Sequence, residues 1–69
     1  MEYSLEGKEN IELTRLIKYI KWAPSGGEAN KLISDGHIKV NGAKEFRRRC
    51  KVLAGSVIHF NGQSCTVVE

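Results

Sequence analysis

Apolar residues recur at helical spacing in the first third of the chain. They fall at positions i, i+3, i+4 and i+7 and would form one stripe along a helix: Leu13, Leu16, Ile17 and Ile20. Asn10 is a favourable N-cap residue, and Glu12 places an acid in the first turn, where the helix dipole favours it. Because Pro24 disfavours a helical backbone at the residue before it, the pattern predicts a first helix from about residue 10 to about Trp22.

A second helix-start signal follows directly after this proline. Ser25 as N-cap with Glu28 three residues later forms a capping box. One apolar face follows at helical spacing, made of Ala29, Leu32 and Ile33. Gly36 suits the left-handed position that commonly ends a helix. We therefore predict a second helix from Ser25 to about Gly36, packed at an angle against the first.

Beyond this helix the hydrophobic period changes to two. Ile38 and Val40 alternate with polar residues, and Asn41-Gly42 is typical of a type I′ hairpin turn before a returning strand over residues 44–52. The same signals predict a turn at residues 53–56, a strand at 57–60, a second Asn-Gly turn at 61–62 and a last strand at 64–68. The second half of the chain is thus predicted to consist of hairpins.

Together these elements predict an α+β fold in a single domain over residues 1–69, with two short helices packed on a small twisted antiparallel sheet of hairpins. Tyr3 and Leu5 alternate with polar residues, so residues 1–9 are expected to form a short N-terminal strand or tail. The core motif spans about residues 10–62.

The net charge of +3 conceals an uneven distribution along the chain. Residues 1–14 carry four acids and one base, whereas residues 37–51 carry six bases and one acid. The densest part is EFRRRCK at residues 45–51, with three consecutive arginines. A positive face of this kind is the electrostatic footprint of a protein that binds a polyanion, although runs of charge are often simply solvated.

If residues 45–51 were a regular strand, Arg47, Arg49 and Lys51 would share one face. Phe46 and Cys50 would then face the core, and Arg48 would reach the surface only if a bulge or loop interrupted the strand. Further lysines lie around the preceding turn and on the second helix. The candidate nucleic-acid-binding residues are therefore Lys31, Lys39, Lys44, Arg47, Arg48, Arg49 and Lys51. We expect them to line a groove between the second helix and the hairpin, where arginine suits bidentate contact with phosphate.

Other chemistries have weaker support in the sequence. No nucleophile elbow, phosphate-binding glycine loop or paired catalytic carboxylates are present, so we expect no enzymatic activity. Two cysteines and two histidines could in principle ligate zinc, but they lack the close spacing of zinc modules: His37, Cys50, His59 and Cys65. We therefore expect no metal and no cofactor, and we interpret both cysteines as free, buried thiols.

Two helices joined by a short turn also invite a helix-turn-helix interpretation, with the second helix as a DNA reader. That helix carries Glu28, Lys31 and Asp35 and is net negative, which disfavours contact with phosphates. The positive charge lies after the helix, in the hairpin. This arrangement favours structured RNA, which proteins recognise through shape and backbone contacts.

The motif SGGEANKLISDGHIKVNG, followed by EFRRRCKVLAGSVIHF, resembles the S4-type RNA-binding domain, also called the αL motif, in its stand-alone bacterial form. The resemblance implies binding of structured RNA, ribosomal or transfer RNA, through residues that correspond here to Lys31, Lys39, Arg47, Arg48 and Lys51. One departure is Gly26, where many S4-type domains have a basic residue. The loss of this contact would place more of the binding on residues 47–51.

The sequence thus predicts a monomeric, non-catalytic RNA-binding module. Its acidic N-terminus lacks the features of a signal peptide and no apolar run is long enough to span a bilayer, so we expect a cytoplasmic protein. The alternative is a protein-interaction adaptor whose basic face docks on an acidic ribosomal or RNA-processing partner.

Overall fold

The computed structural model describes all 69 residues of the chain. Its elements, in chain order, are β1 Glu2–Ser4, β2 Ile11–Glu12, α1 Leu13–Tyr19, α2 Gly26–Ser34, β3 Lys39–Val40, β4 Ala43–Lys44, β5 Lys51–Val52, β6 Val57–Phe60 and β7 Gln63–Val68. Eleven buried apolar residues form one cluster to which both helices and both sheets contribute. The predicted α+β class, with two helices packed on a sheet, is confirmed.

The main sheet has five strands in the order β1-β7-β6-β3-β4, and β2 and β5 form a separate antiparallel pair. The main sheet is mixed, because β1 runs parallel to β7 with Tyr3 opposite Val67. The backbone N–H of Leu5 donates to the carbonyl of Val68 at 2.8 Å. This pairing buries Leu5 in the core, and it corrects the prediction of a wholly antiparallel sheet.

The first helix is shorter than its hydrophobic pattern predicts. Residues 11–12 are extended as β2, so Glu12 occupies the N-cap position and Asn10 lies outside the helix. The helix ends at Tyr19, before Pro24 has any effect, because Lys21 adopts a left-handed backbone with φ of 65°. The prediction of Asn10 as N-cap is therefore wrong. Three residues of the apolar stripe are confirmed as core, Leu13, Leu16 and Ile17, while Ile20 follows the helix and packs half-buried against that core.

The second helix follows its prediction closely. The Ser25 hydroxyl accepts a hydrogen bond from the N–H of Glu28 at 3.3 Å, as expected of the N-cap in a capping box. Ala29 and Ile33 are fully buried. Gly36 follows the helix with φ of +80°, the left-handed conformation that glycine adopts without strain.

Both Asn-Gly hairpin turns are also confirmed, with positive φ at both residues of Asn41-Gly42 and Asn61-Gly62. The predicted strand over residues 44–52 is wrong. β4 ends at Lys44 after two residues, and β5 pairs with β2 instead of β3. The partner strand explains this break, because the N–H of Glu45 makes the last bond, to the carbonyl of Ile38. The residues before Ile38 form the turn that follows α2, where the N–H of His37 bonds back to the carbonyl of Leu32.

Candidate nucleic-acid interface

Residues 45–50 leave the main sheet and, together with Lys51 at the start of β5, form what we call the arginine loop. A turn at Arg48–Arg49 is accompanied by a 3.1 Å hydrogen bond from the N–H of Cys50 to the carbonyl of Arg47. All three arginines are exposed, and so is Lys51. Strand alternation therefore does not apply to this segment, and Arg48 lies at the surface because the turn interrupts the strand.

The N-terminus of α1 holds the backbone of this loop in place. The N–H of Leu13 donates to the carbonyl of Cys50 at 2.8 Å, and the N–H of Thr14 donates to the carbonyl of Arg48 at 3.0 Å. Since the N-cap residue offers no side-chain hydrogen bond, these carbonyls satisfy N–H groups that would otherwise lack partners. The loop is thus anchored by its main chain, and the arginine side chains are exposed to solvent.

Glu45 and Arg47 form an ion pair at the start of the loop. Glu45 Oε2 accepts hydrogen bonds from Arg47 Nε and from the Arg47 backbone N–H, both at 3.0 Å, and Oε1 accepts from Nη2 at 3.1 Å. These bonds lower the pKa of Glu45 from its usual 4.5 to about 2, and the bonds from the Arg47 side chain contribute more than the bond from its backbone. The same pairing raises the pKa of Arg47. Part of the guanidinium of Arg47 is therefore already occupied.

The other cations of the loop are less engaged. Arg49 Nε lies 4.0 Å from Glu12, at the limit of an ion pair and with a side chain that is 80% exposed, so the contact is weak. Arg48 and Lys51 make no ion pair. These two side chains carry the positive charge that is most available to a polyanion.

Phe46 lies on the surface, which corrects the prediction that it faces the core. Its side chain is 58% exposed, and the ring packs over Gly36. An open concavity of about 940 Å³ is lined by Phe46, Arg47, Arg48, Arg49, Cys50 and Lys51. An aromatic residue directly before three arginines could have indicated that Phe46 belongs to the basic surface, but the assumption of strand alternation placed it in the core.

The remaining candidate residues lie on neighbouring surfaces. Strand register aligns Lys44, Lys39 and His59 in one row across β4, β3 and β6. The intervening positions include the buried Ile58, so this row lies on the outer face of the sheet. Lys39 and Lys44 do not line the concavity of the arginine loop.

Lys31 is exposed on α2 and does not line the concavity either. Its neighbour Asn30 lies close to the loop, because Asn30 Oδ1 accepts a 2.6 Å hydrogen bond from the hydroxyl of Thr14, whose N–H contacts the Arg48 carbonyl. Of the seven candidate residues, the structure thus brings four together around one concavity.

The cysteines and histidines do not assemble into a site. Cys65 is buried and Cys50 half-buried, and burial is the main cause that raises the pKa of both thiols. No group of three or more His, Cys, Asp or Glu side chains is arranged to hold a metal ion. The structure also contains no helix with the length and apolar character needed to cross a membrane.

Comparison with known proteins agrees with the motif and the fold. The profile of the S4 domain family matches residues 3–68. The Escherichia coli (strain K12) protein named "Putative RNA-binding protein YbcJ" is 42% identical over 66 residues, which are 96% of this chain and 94% of that protein. A protein from Shigella flexneri named "Uncharacterized protein YbcJ" has the same identity and coverage.

The fold agrees as well. The solution structure of YbcJ from E. coli, described as revealing an αL motif involved in RNA binding, matches with a TM-score of 0.76 and 41% identity and covers 99% of this chain and 86% of the other. The family profile spans nearly the whole chain, and the αL architecture matches the two-helix motif and hairpins described above. The chain therefore belongs to the S4 domain family.

Proposed function

We propose that this protein binds structured RNA as a monomeric, non-catalytic module of the cytoplasm, and that the whole chain acts as one RNA-binding unit. The observation that carries the proposal is the arginine loop, where four cations surround one concavity and the backbone is anchored on α1. The descriptions of YbcJ as an RNA-binding protein support the same assignment.

The anchoring argues against a loop that is basic only for solubility. Consecutive like charges repel one another, so a loop that places Arg48 and Lys51 in solvent without partners carries an electrostatic cost that a bound polyanion would relieve. Since two α1 N–H groups already hold the loop backbone, little backbone conformational entropy would be lost when phosphates bind.

We propose that the RNA lies in a groove between the exposed side of α2 and the arginine loop. Thr14 bridges the two walls through its contacts with Asn30 and with the Arg48 carbonyl. Lys31 would contribute from α2, whereas Lys39 and Lys44 would meet a strand of RNA that continues across the outer face of the sheet. A base-paired RNA of the ribosomal or transfer class offers phosphates on both sides of such a groove.

Replacement of Arg48 by Glu tests this proposal most directly. Arg48 makes no ion pair, so Arg48→Glu removes a free cation without breaking an internal contact, and affinity for a 20-base-pair RNA hairpin should fall by about tenfold or more. Fluorescence anisotropy measures the affinity, and thermal unfolding should show an unchanged midpoint.

Lys8→Glu provides the matched control, since it changes the net charge equally at an exposed residue near the N-terminus. Equal affinity of Arg48→Glu and the parent protein would contradict the proposal. A protein partner that is captured from cell extract, survives ribonuclease and depends on Arg48 would instead favour an adaptor.

A further inference from the structure

Phe46 is the feature of the loop that phosphate binding leaves unexplained. Its side chain is 58% exposed and lines the concavity together with the cations. The exposed side chains of Tyr19 and Leu53 do not line this concavity. An exposed aromatic ring offers no attraction to phosphate. It does offer a flat face on which an unpaired base can stack.

The ring packs against Gly36, and an ion pair joins its two neighbours in the chain. A Cβ atom on Gly36 would lie 3.2 Å from Cε1 and 3.5 Å from Cζ of Phe46, so any larger residue here would push the ring away by a few tenths of an ångström. The Glu45–Arg47 pair joins the two residues that flank Phe46 in the chain and so restrains the backbone at this point. The ring is therefore supported on one side and open to solvent on the other, as a stacking platform requires.

We propose that Phe46 stacks on an unpaired nucleotide of the bound RNA, while the neighbouring cations hold the phosphates on either side. The inference rests on the proposed RNA-binding function and narrows its substrate class to RNA helices interrupted by a bulged or flipped-out base. Because every base has a π-face, we expect the interaction to select for an accessible base and to show little preference for its identity.

The test compares two RNA hairpins that differ only by one bulged nucleotide in an otherwise continuous 20-base-pair stem. The parent protein should bind the bulged hairpin more tightly by about 5- to 150-fold, the range expected for one stacked base. Phe46→Leu should bind both hairpins with the affinity of the continuous stem, whereas Phe46→Tyr, which keeps the aromatic face, should retain the preference. The fluorescence of a 2-aminopurine base in the bulge should rise when the parent protein draws it out of the base stack, and should rise less with Phe46→Leu.

Tyr19→Leu is the matched control, because Tyr19 is an aromatic residue of similar exposure, 52%, outside the concavity. It should keep the preference for the bulge. Salt-dependent binding of both hairpins with no preference, or a preference that survives in Phe46→Leu, would overturn the inference and leave the proposed function intact. Failure to bind either hairpin would overturn both.

Discussion

At the level of single residues, the arginines of the loop differ in the contacts that their side chains already make within the protein. Arg47 is bound to Glu45 through three hydrogen bonds, while Arg48 has no ionic partner although it is the next residue in the chain. Three identical residues in the sequence therefore have different capacities for binding. Glu45 restrains one arginine and leaves the next one free.

The Glu45–Arg47 pair predicts a specific titration. In the parent protein, the Glu45 carboxyl should titrate with a pKa of about 2, and in Arg47→Gln the value should rise toward 4.5 because the charged donor is lost. Its folded-state pKa is lowered, so its contribution to stability is present above pH 4.5 and disappears as the pH falls through about 2. NMR titration of the side-chain carboxyl carbon measures both values. A pKa near 4.5 in the parent protein would show that the pair does not form in solution.

At the scale of elements, the N-terminus of α1 decides where the arginine loop lies, and the end of α2 decides where the loop begins. The first N–H groups of α1 bind carbonyls of the loop, and the left-handed Gly36 both ends α2 and accommodates Phe46. α2 also presents Gly26 at its first turn, on the same side of the helix as Asn30 four residues later. This side faces the bridge formed by Thr14.

A basic residue at position 26 should therefore strengthen RNA binding. A Cβ atom on Gly26 would meet nothing within 4 Å, and its φ is not in the left-handed region, so Gly26→Lys fits without strain. We expect an affinity several-fold higher for the RNA hairpin and a log K against log salt slope steeper by roughly one, as for one added phosphate contact. Gly26→Gln is the uncharged control. An equal gain from glutamine would contradict a phosphate contact at this position.

At the scale of the whole molecule, the charge asymmetry of the chain is preserved in space. Among the acids of the N-terminal segment, Glu12 alone pairs with the basic loop, at 4.0 Å from Arg49 beside the pairing of β2 with β5. The sheet adds a second positive row, because Lys39 and Lys44 stand directly opposite each other, an arrangement that is unfavourable unless an anion separates the charges.

Salt dependence measures how many of these cations meet phosphate. If the four cations of the arginine loop each neutralise one phosphate, log K for the RNA hairpin should fall against log salt with a slope of about −3 to −4. The double variant Lys39→Gln, Lys44→Gln should leave this slope nearly unchanged on a short hairpin and reduce it on a longer RNA that reaches the outer face of the sheet. A slope near zero for the parent protein would contradict phosphate binding by the loop.

Features that depend on local interactions follow from the sequence alone. The apolar stripes of both helices, the Ser25 cap, the Gly36 terminus and both Asn-Gly turns can be predicted from residues within a few positions of one another. The S4-type motif could also be identified at this level, because its residues are closely spaced along the chain.

Features that depend on partners distant in the sequence are set by the folded structure. β1 pairs in parallel with the last strand, β5 pairs with β2 instead of continuing the hairpin, and the loop binds the start of α1, more than thirty positions earlier in the sequence. Strand alternation assigned Phe46 to the core and left the side of Arg48 undecided, because it assumes that β4 continues beyond Lys44. The pairing with β3 stops instead at the carbonyl of Ile38. Hydrogen-bond partners across long sequence separations determine where a strand stops, and here that stop places the arginines and the aromatic ring on one surface.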